Sequence, residues 1–312
     1  MPGAQPRVGA IVVTHQSAPS IADCLTSILA DEAVAAVVVI DNAGDEATRT
    51  VVTEVGLRDS RVCHFDPHKN LGLAGGCNLG AALLPDVDFI CLVNPRLKLR
   101  RGLSELCADA PATSAVWAGA VISDQRQGMA NVRQTATVHR ELSRILHGER
   151  SYAAQVRGGS DGPVKVERLS GDLLCLRRTT FEALGGFDES LELHFEDDDL
   201  CRRAQRQGGV WLLPVEAGRL IPRPGGSTPS VQDRQARAVS RVRYLRKVRG
   251  DCPATSAVAR LLAMLDAVAR AVTPGVGWKA SRQVLGVELA EIRLPESQWV
   301  LRWPGGRPPA GR

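Results

Sequence analysis

Four consecutive acids, Glu196-Asp197-Asp198-Asp199, stand just before Arg202 and Arg203 in the segment HFEDDDLCRR. Carboxylates crowded this closely disfavour simultaneous ionisation, which suits a general base that must accept a proton near neutrality. The run also reads as an ordinary helix start. Acids favour the N-terminal end of the helix dipole, and Asp198 and Asp199 lie four residues before the two arginines. A second group comprises Thr14-His15-Gln16-Ser17 and Asp41-Asn42-Ala43, each closing a β-branched or aliphatic run. A carboxylate there can accept a hydrogen bond from the imide nitrogen of a pyrimidine or from ribose hydroxyls, with the threonine orienting it; equally, Asp41 can cap a turn. The third is the glycine-rich run from Asn70 to Asn78, NLGLAGGCN. Gly72, Gly75 and Gly76 let backbone approach an anion at a helix N-terminus, or else permit a tight turn with close helix packing. Its spacing is neither a Walker loop nor a GxGxxG fingerprint placed after the first strand.

These residues need a scaffold, and the hydrophobic pattern supplies one. Val8 to Thr14 predicts a strand, Ile21 to Leu29 a helix, Ala35 to Ile40 a second strand, Thr48 to Val55 a second helix and Arg61 to Phe65 a third strand. After the Asn70 to Gly76 loop a helix is expected to Leu84, then a fourth strand, Phe89 to Val93, ending at Asn94-Pro95. Strands alternating with helices predict an α/β fold with a mostly parallel sheet covered on both faces, whose ligands sit at the carboxyl ends of the strands. Thr14, Asp41 and Asn94 fall at those ends. The segment from Gln125 to Lys165 reads as a surface excursion or flap. A second ordered block runs from Leu169 to Leu213, and helices follow Ser230.

Taken in order, VVTHQS, VVVIDNA, NLGLAGGCNLG, FICLVNP, LSGDLLCLRRTTFEALGGFDES and HFEDDDLCRRAQRQGG resemble the family 2 inverting glycosyltransferases of GT-A fold, particularly the rhamnosyltransferase-like branch of bacterial polysaccharide synthesis. The resemblance spans roughly Val8 to Ser227. It implies a Rossmann-like GT-A domain over residues 1–228 and a basic helical extension over 229–312. Its donor side would comprise Thr14, Asp41, Asn70, Gly75, Asn78 and Asn94. Gly171, Asp172 and Asp199 would line the acceptor side. Asp197 would be the catalytic base, supported by Glu196. The implied reaction is a single inverting displacement that moves a sugar, rhamnose as the best guess, from a nucleotide-diphosphate donor to a glycan or lipid-linked acceptor.

Two departures bear on the metal. Where the family carries Asp-x-Asp or Asn-Pro-Asp this chain has Asn94-Pro95-Arg96, and where it carries a histidine before a Gly-Gly-Ser turn this chain has Leu220 to Ser227 with none. Both expected ligands are missing, so no metal cofactor is expected, with Arg96 offsetting diphosphate charge in its place; the alternative is Mg or Mn held by another carboxylate. A rival function is a catalytically impaired homologue serving as a binding or scaffold subunit of polysaccharide assembly, which the retained acids and glycine-rich run oppose.

Composition bounds the rest. The chain has 312 residues, 44% hydrophobic and 23% charged, which excludes global disorder and suits a two-domain globular enzyme. Aromatics at 4% fall short of a stacking platform, and no DNA-reading module is recognisable, so nucleic acid is not an expected partner. Eight cysteines without a CxxC pair read as small buried hydrophobes. With no apolar leader core and no membrane-length run, a cytoplasmic location is expected. From Ser230 onward there are 15 Lys/Arg against 6 Asp/Glu. Gln232 to Arg249 alone carries seven Lys/Arg and one acid, predicting either a solvated face or peripheral contact with the anionic inner membrane.

Overall fold

The computed structural model describes residues 6–123, 128–147, 162–191, 193–222, 230–271 and 277–294. Contacts divide the chain into two units: Met1–Thr135, Ser151–Phe187 and Leu200–Gly226 form one, and Ala136–Arg150, Asp188–Asp199 and Ser227–Arg312 the other.

The first unit is built on β1 (Val8–Thr14), β2 (Val34–Asp41), β3 (Val62–Phe65) and β4 (Phe89–Val93), connected by α1 (Ala18–Leu29), α2 (Glu46–Arg58) and α3 (Gly72–Leu83). β5 (Leu97–Leu99), α4 (Leu103–Ala108), β6 (Val116–Ser123), β7 (Gly128–Met129) and β8 (Val132–Arg133) follow, and after the second unit's α5 (Val138–His147) come β9 (Val164–Val166), β10 (Arg168–Leu169), β11 (Leu173–Arg177) and α6 (Arg178–Leu184). The last two elements are α7 (Glu196–Ala204), which straddles the division, and β12 (Val210–Leu220). The main sheet is ordered β3-β2-β1-β4-β11-β6-β12-β5, with β7 on β6 and β9 on β12. β3, β2, β1 and β4 are mutually parallel, and β11 enters antiparallel between β4 and β6.

Central parallel strands are covered on both faces, so they read as uninterrupted apolar runs. Val37, Val38, Val39 and Ile40 are buried accordingly. α3 lies unusually close to β1: a Cβ at Gly80 would sit 2.5 Å from Ile11 Cγ2, and one at Gly76 2.8 Å from Val13 Cγ1. This corrects the loop expected at Asn70 to Gly76. Gly75 and Gly76 lie buried inside the helix, and at Gly76 and Gly80 the missing side chain permits close packing on the sheet; Gly72, at φ +69°, makes the entry turn.

The second unit gathers α5 with α8 (Val231–Arg249), α9 (Pro253–Ala271) and α10 (Gly277–Arg293) around Ile145, Val242, Leu245, Leu262 and Ile292. Its ion pairs explain why residues before 228 belong to it. Glu141 of α5 meets Arg237 and Arg241 of α8, and Arg241 also meets Asp266 of α9 and Glu288 of α10. Arg243 pairs with Glu291, Arg246 with Asp251, and Lys247 with Asp188 and Asp199. Arg241, Arg243 and Arg246 are buried, whereas Lys247 and Arg249 are exposed. Among the described residues no helix is long and apolar enough to cross a membrane. The tail from Pro304, the turn residues 223–229 and the parts 124–127 and 148–161 of the expected flap lie outside the described residues.

Candidate functional site

The strand ends of the first unit bring together part of the expected donor side. β1 and β2 are in register with Thr14 opposite Asp41, and Thr14 Oγ1 donates to Asp41 Oδ1 at 3.1 Å. The Ala43 N–H donates to the same oxygen at 3.3 Å. Thr14 is fully buried, and the Asp41 carboxylate is 0% exposed. Oδ2 makes no hydrogen bond; it faces His64 Nε2, itself buried and unbonded, at 3.7 Å. The sequence reading missed His64, although its place at the carboxyl end of the third strand was enough to nominate it.

The glycine-rich run is tied to the same strand end by Asn42. Its Nδ2 donates to the Gly72 carbonyl at 2.8 Å and its Oδ1 accepts from the Leu71 N–H at 3.2 Å. Asn70 accepts from the Gly72 N–H at 2.8 Å and so shapes the entry to α3. Asn78 holds a turn from α3. Its amide donates to the Phe187 carbonyl (2.9 Å) and accepts from the Phe187 N–H (2.8 Å), clasping a turn in which Gly186 adopts φ +68°. Gly75 lies buried within α3.

At the end of β4, Asn94 and Asp172 meet as a pair. Asn94 Nδ2 donates to Asp172 Oδ1 at 3.0 Å and the Asn94 N–H to the Asp172 carbonyl at 3.1 Å, while Ser170 Oγ donates to Asp172 Oδ2 at 2.7 Å. The Arg96 N–H donates to Asn94 Oδ1 (2.9 Å), and its Nη1 to the Ile221 carbonyl (3.3 Å), which holds the arginine at the strand end. Gly171 forms the turn before Asp172, where an added Cβ would press on Leu73 at 3.2 Å. A divalent cation takes six or more oxygens, several of them anionic. Asp172, the carboxylate paired with Asn94 at this strand end, accepts from Asn94 at one oxygen and from Ser170 at the other. Among the described residues the ligand atoms that do converge are the buried thiols of Cys91, Cys107 and Cys175, inside the sheet core.

The acid run belongs, up to Asp199, to the second unit. Two successive non-glycine residues, His194 (φ +66°) and Phe195 (φ +68°), take the left-handed conformation immediately before Glu196. Such backbone costs on the order of 1–3 kcal/mol per residue and persists where packing over-determines it. Phe195 supplies that packing by stacking on Tyr244 at 5.3 Å, with the Arg237 guanidinium 5.1 Å from its ring. Each acid has its own surroundings. Asp197 Oδ1 accepts from the Asp198 N–H at 2.9 Å, Asp198 Oδ1 accepts from the Ala136 N–H at 2.8 Å, and Asp199 is paired with Lys247 at 2.8 Å. The Lys247 pair ties Asp199, expected on the acceptor side, to α8. Arg203 donates to the Leu184 carbonyl at 2.6 Å. Glu196 and Asp197 are 4% and 7% exposed.

Residues 10–90 match the glycosyl transferase family 2 model, a span that holds Thr14, Asp41, His64 and the glycine-rich run and stops just before Asn94. Comparison with curated proteins gives no match. Among solved structures, a mannosyltransferase of Pyrobaculum calidifontis in complex with GDP-Man and Mn2+ superposes with TM-score 0.54 at 17% identity, covering 93% of this chain and 76% of that one. GalNAc-T7 with UDP, GalNAc and Mn2+ gives 0.56 at 15% identity over 81% of this chain and 52% of its own. S. aureus TarS residues 1–349 gives 0.53 at 12% identity over 92% and 89%. The architecture is GT-A-like, the fold shared with these glycosyltransferase structures, and residues 10–90 match the family 2 model.

Proposed function

We propose that the protein is an inverting glycosyltransferase that takes a nucleotide-diphosphate sugar, dTDP-rhamnose in the first instance, and delivers the sugar to a glycan or lipid-linked acceptor. The observation that carries this is the buried Thr14–Asp41–His64 cluster at the carboxyl ends of three adjacent parallel strands, inside the segment that matches the family model. Ligands of open α/β sheets bind at such ends.

In this reading Asp197 removes the proton of the acceptor hydroxyl, and the oxygen attacks the anomeric carbon. The bond to the nucleoside diphosphate breaks from the opposite face, and the leaving group departs with the electron pair. Asn94 and Arg96 hold their strand end so that the guanidinium offsets charge developing on the diphosphate, work that a preorganised donor performs without a metal. Glu196 stands beside the base, and Gly171 and Asp172 border the acceptor.

The test is release of nucleoside diphosphate from a panel of dTDP-, UDP- and GDP-sugars, with and without EDTA. Release that survives chelation supports the metal-independent form. Complete inhibition by EDTA refutes the role given to Arg96, and no release from any donor favours the scaffold function instead.

A further inference from the structure

The nucleoside reading assigns Asp41 to the ligand, yet the Asp41 side chain has no exposed surface, whereas His64 keeps 19% of its own. Register explains the arrangement. His64 is paired with Val39, and Asp41 lies two residues beyond Val39 on β2, so His64 and Asp41 share one face of the sheet. Asp41 Oδ1 is already occupied by the Thr14 hydroxyl and the Ala43 N–H. Oδ2 is turned to His64 Nε2, and because that nitrogen is buried, the exposed surface of His64 belongs to the rest of its side chain. The carboxylate thus stands behind the imidazole.

We propose that His64 is the residue that meets the nucleoside, and that Asp41 acts through it as a positioning residue; the proposal rests on the nucleotide-sugar reading above. A carboxylate aimed at one ring nitrogen keeps the proton there and fixes both tautomer and ring orientation. The gap of 3.7 Å closes to hydrogen-bonding distance with a shift of about 0.7 Å. Nδ1 of the neutral ring is then an acceptor, complementary to an N–H or O–H. Uracil and thymine offer the imide N–H, guanine its ring N–H, and any ribonucleotide its hydroxyls; the corresponding ring nitrogens of cytosine and adenine are acceptors and do not match.

Calorimetric titration of the full chain with UDP, dUDP, dTDP, GDP, CDP and ADP tests this. His64→Leu should weaken the nucleoside diphosphates that the unmodified protein binds by about tenfold, the worth of one hydrogen bond left unmade, and leave inorganic pyrophosphate unaffected. His64→Gln, which keeps an acceptor, should recover part of the loss. Asp41→Asn should weaken the same ligands in the unmodified background but add less than about twofold in the His64→Leu background, because the two act as one unit. Additive losses would show Asp41 touching the nucleoside directly, and wild-type affinity in His64→Leu would remove His64 from the site; either overturns the proposal. Equal loss for UDP and dUDP identifies the base N–H as the group recognised, and a loss confined to UDP identifies the ribose hydroxyl. If the unmodified protein binds no nucleoside diphosphate, the nucleotide-sugar reading fails first and this inference with it.

Discussion

Arg241→Met is a decisive perturbation of the second unit. The Arg241 side chain is 2% exposed, and its Nε and Nη2 both donate to Glu288 Oε1, at 2.8 and 2.6 Å, with Asp266 at 3.1 Å and Glu141 at 3.7 Å. Removing one partner of a buried pair typically costs about 3–5 kcal/mol, because it strands the other charge in the interior. Glu141 keeps Arg144 and Arg237, and Asp266 keeps Arg270, so the stranded group is Glu288, 0% exposed. The expected loss is accordingly near the lower limit, about 3 kcal/mol. Urea unfolding followed by circular dichroism of the helical unit measures it as a shift of midpoint at constant slope. Arg241→Met should also leave binding to anionic vesicles where it was. A stability change below about 1 kcal/mol together with lost vesicle binding would refute the burial argument and return this helix to a membrane surface.

Other outcomes follow from the same contacts. Asn78→Ala strips hydrogen bonds from both polar groups of the Phe187 backbone and should cost the first unit about 1–3 kcal/mol in a thermal or urea melt while leaving nucleotide affinity within about twofold; the reverse pattern would place Asn78 at the donor. Burial pushes the carboxyls of Glu141, Asp266 and Asp188 up, but their basic partners outweigh it and hold all three below the usual range. Stability from such groups is present above the unfolded carboxylate value and lost as pH falls through the folded one, whereas Glu288, raised chiefly by burial, acts in the opposite sense. With three groups against one, the second unit should weaken between about pH 5 and pH 3, and a flat stability profile there would contradict the assignment. Arg96→Ala should lower turnover by about 2–4 kcal/mol of transition-state stabilisation; a variant as active as the parent would leave Arg96 a structural residue.

The strands and their polar ends were legible because a central parallel strand must be apolar throughout and stop where the chain turns to solvent. Thr14, Asp41 and Asn94 fall where those runs end. The glycine-rich run was ambiguous for a physical reason: glycine serves close approach to an anion and close approach to a strand equally well. Only the position of Ile11 and Val13 beneath Gly80 and Gly76 decides between them. Composition was ambiguous at α8, since a count of Lys and Arg cannot see that Glu141, Asp266, Glu288 and Glu291 arrive from other helices to pair with Arg241 and Arg243. The interleaved unit boundary was hidden for the same reason. His64 was passed over because a single histidine in a short, half-buried strand carries no pattern until its register with β2 is known.

The central claim is transfer from a nucleotide sugar with Asp197 as base. It is tested most directly by Asp197→Asn, measured as nucleoside diphosphate release and, separately, as donor affinity on the same preparation. Turnover should fall by about two to four orders of magnitude with donor affinity unchanged, the worth of a general base acting only in the transition state. Turnover equal to that of the parent enzyme would contradict it.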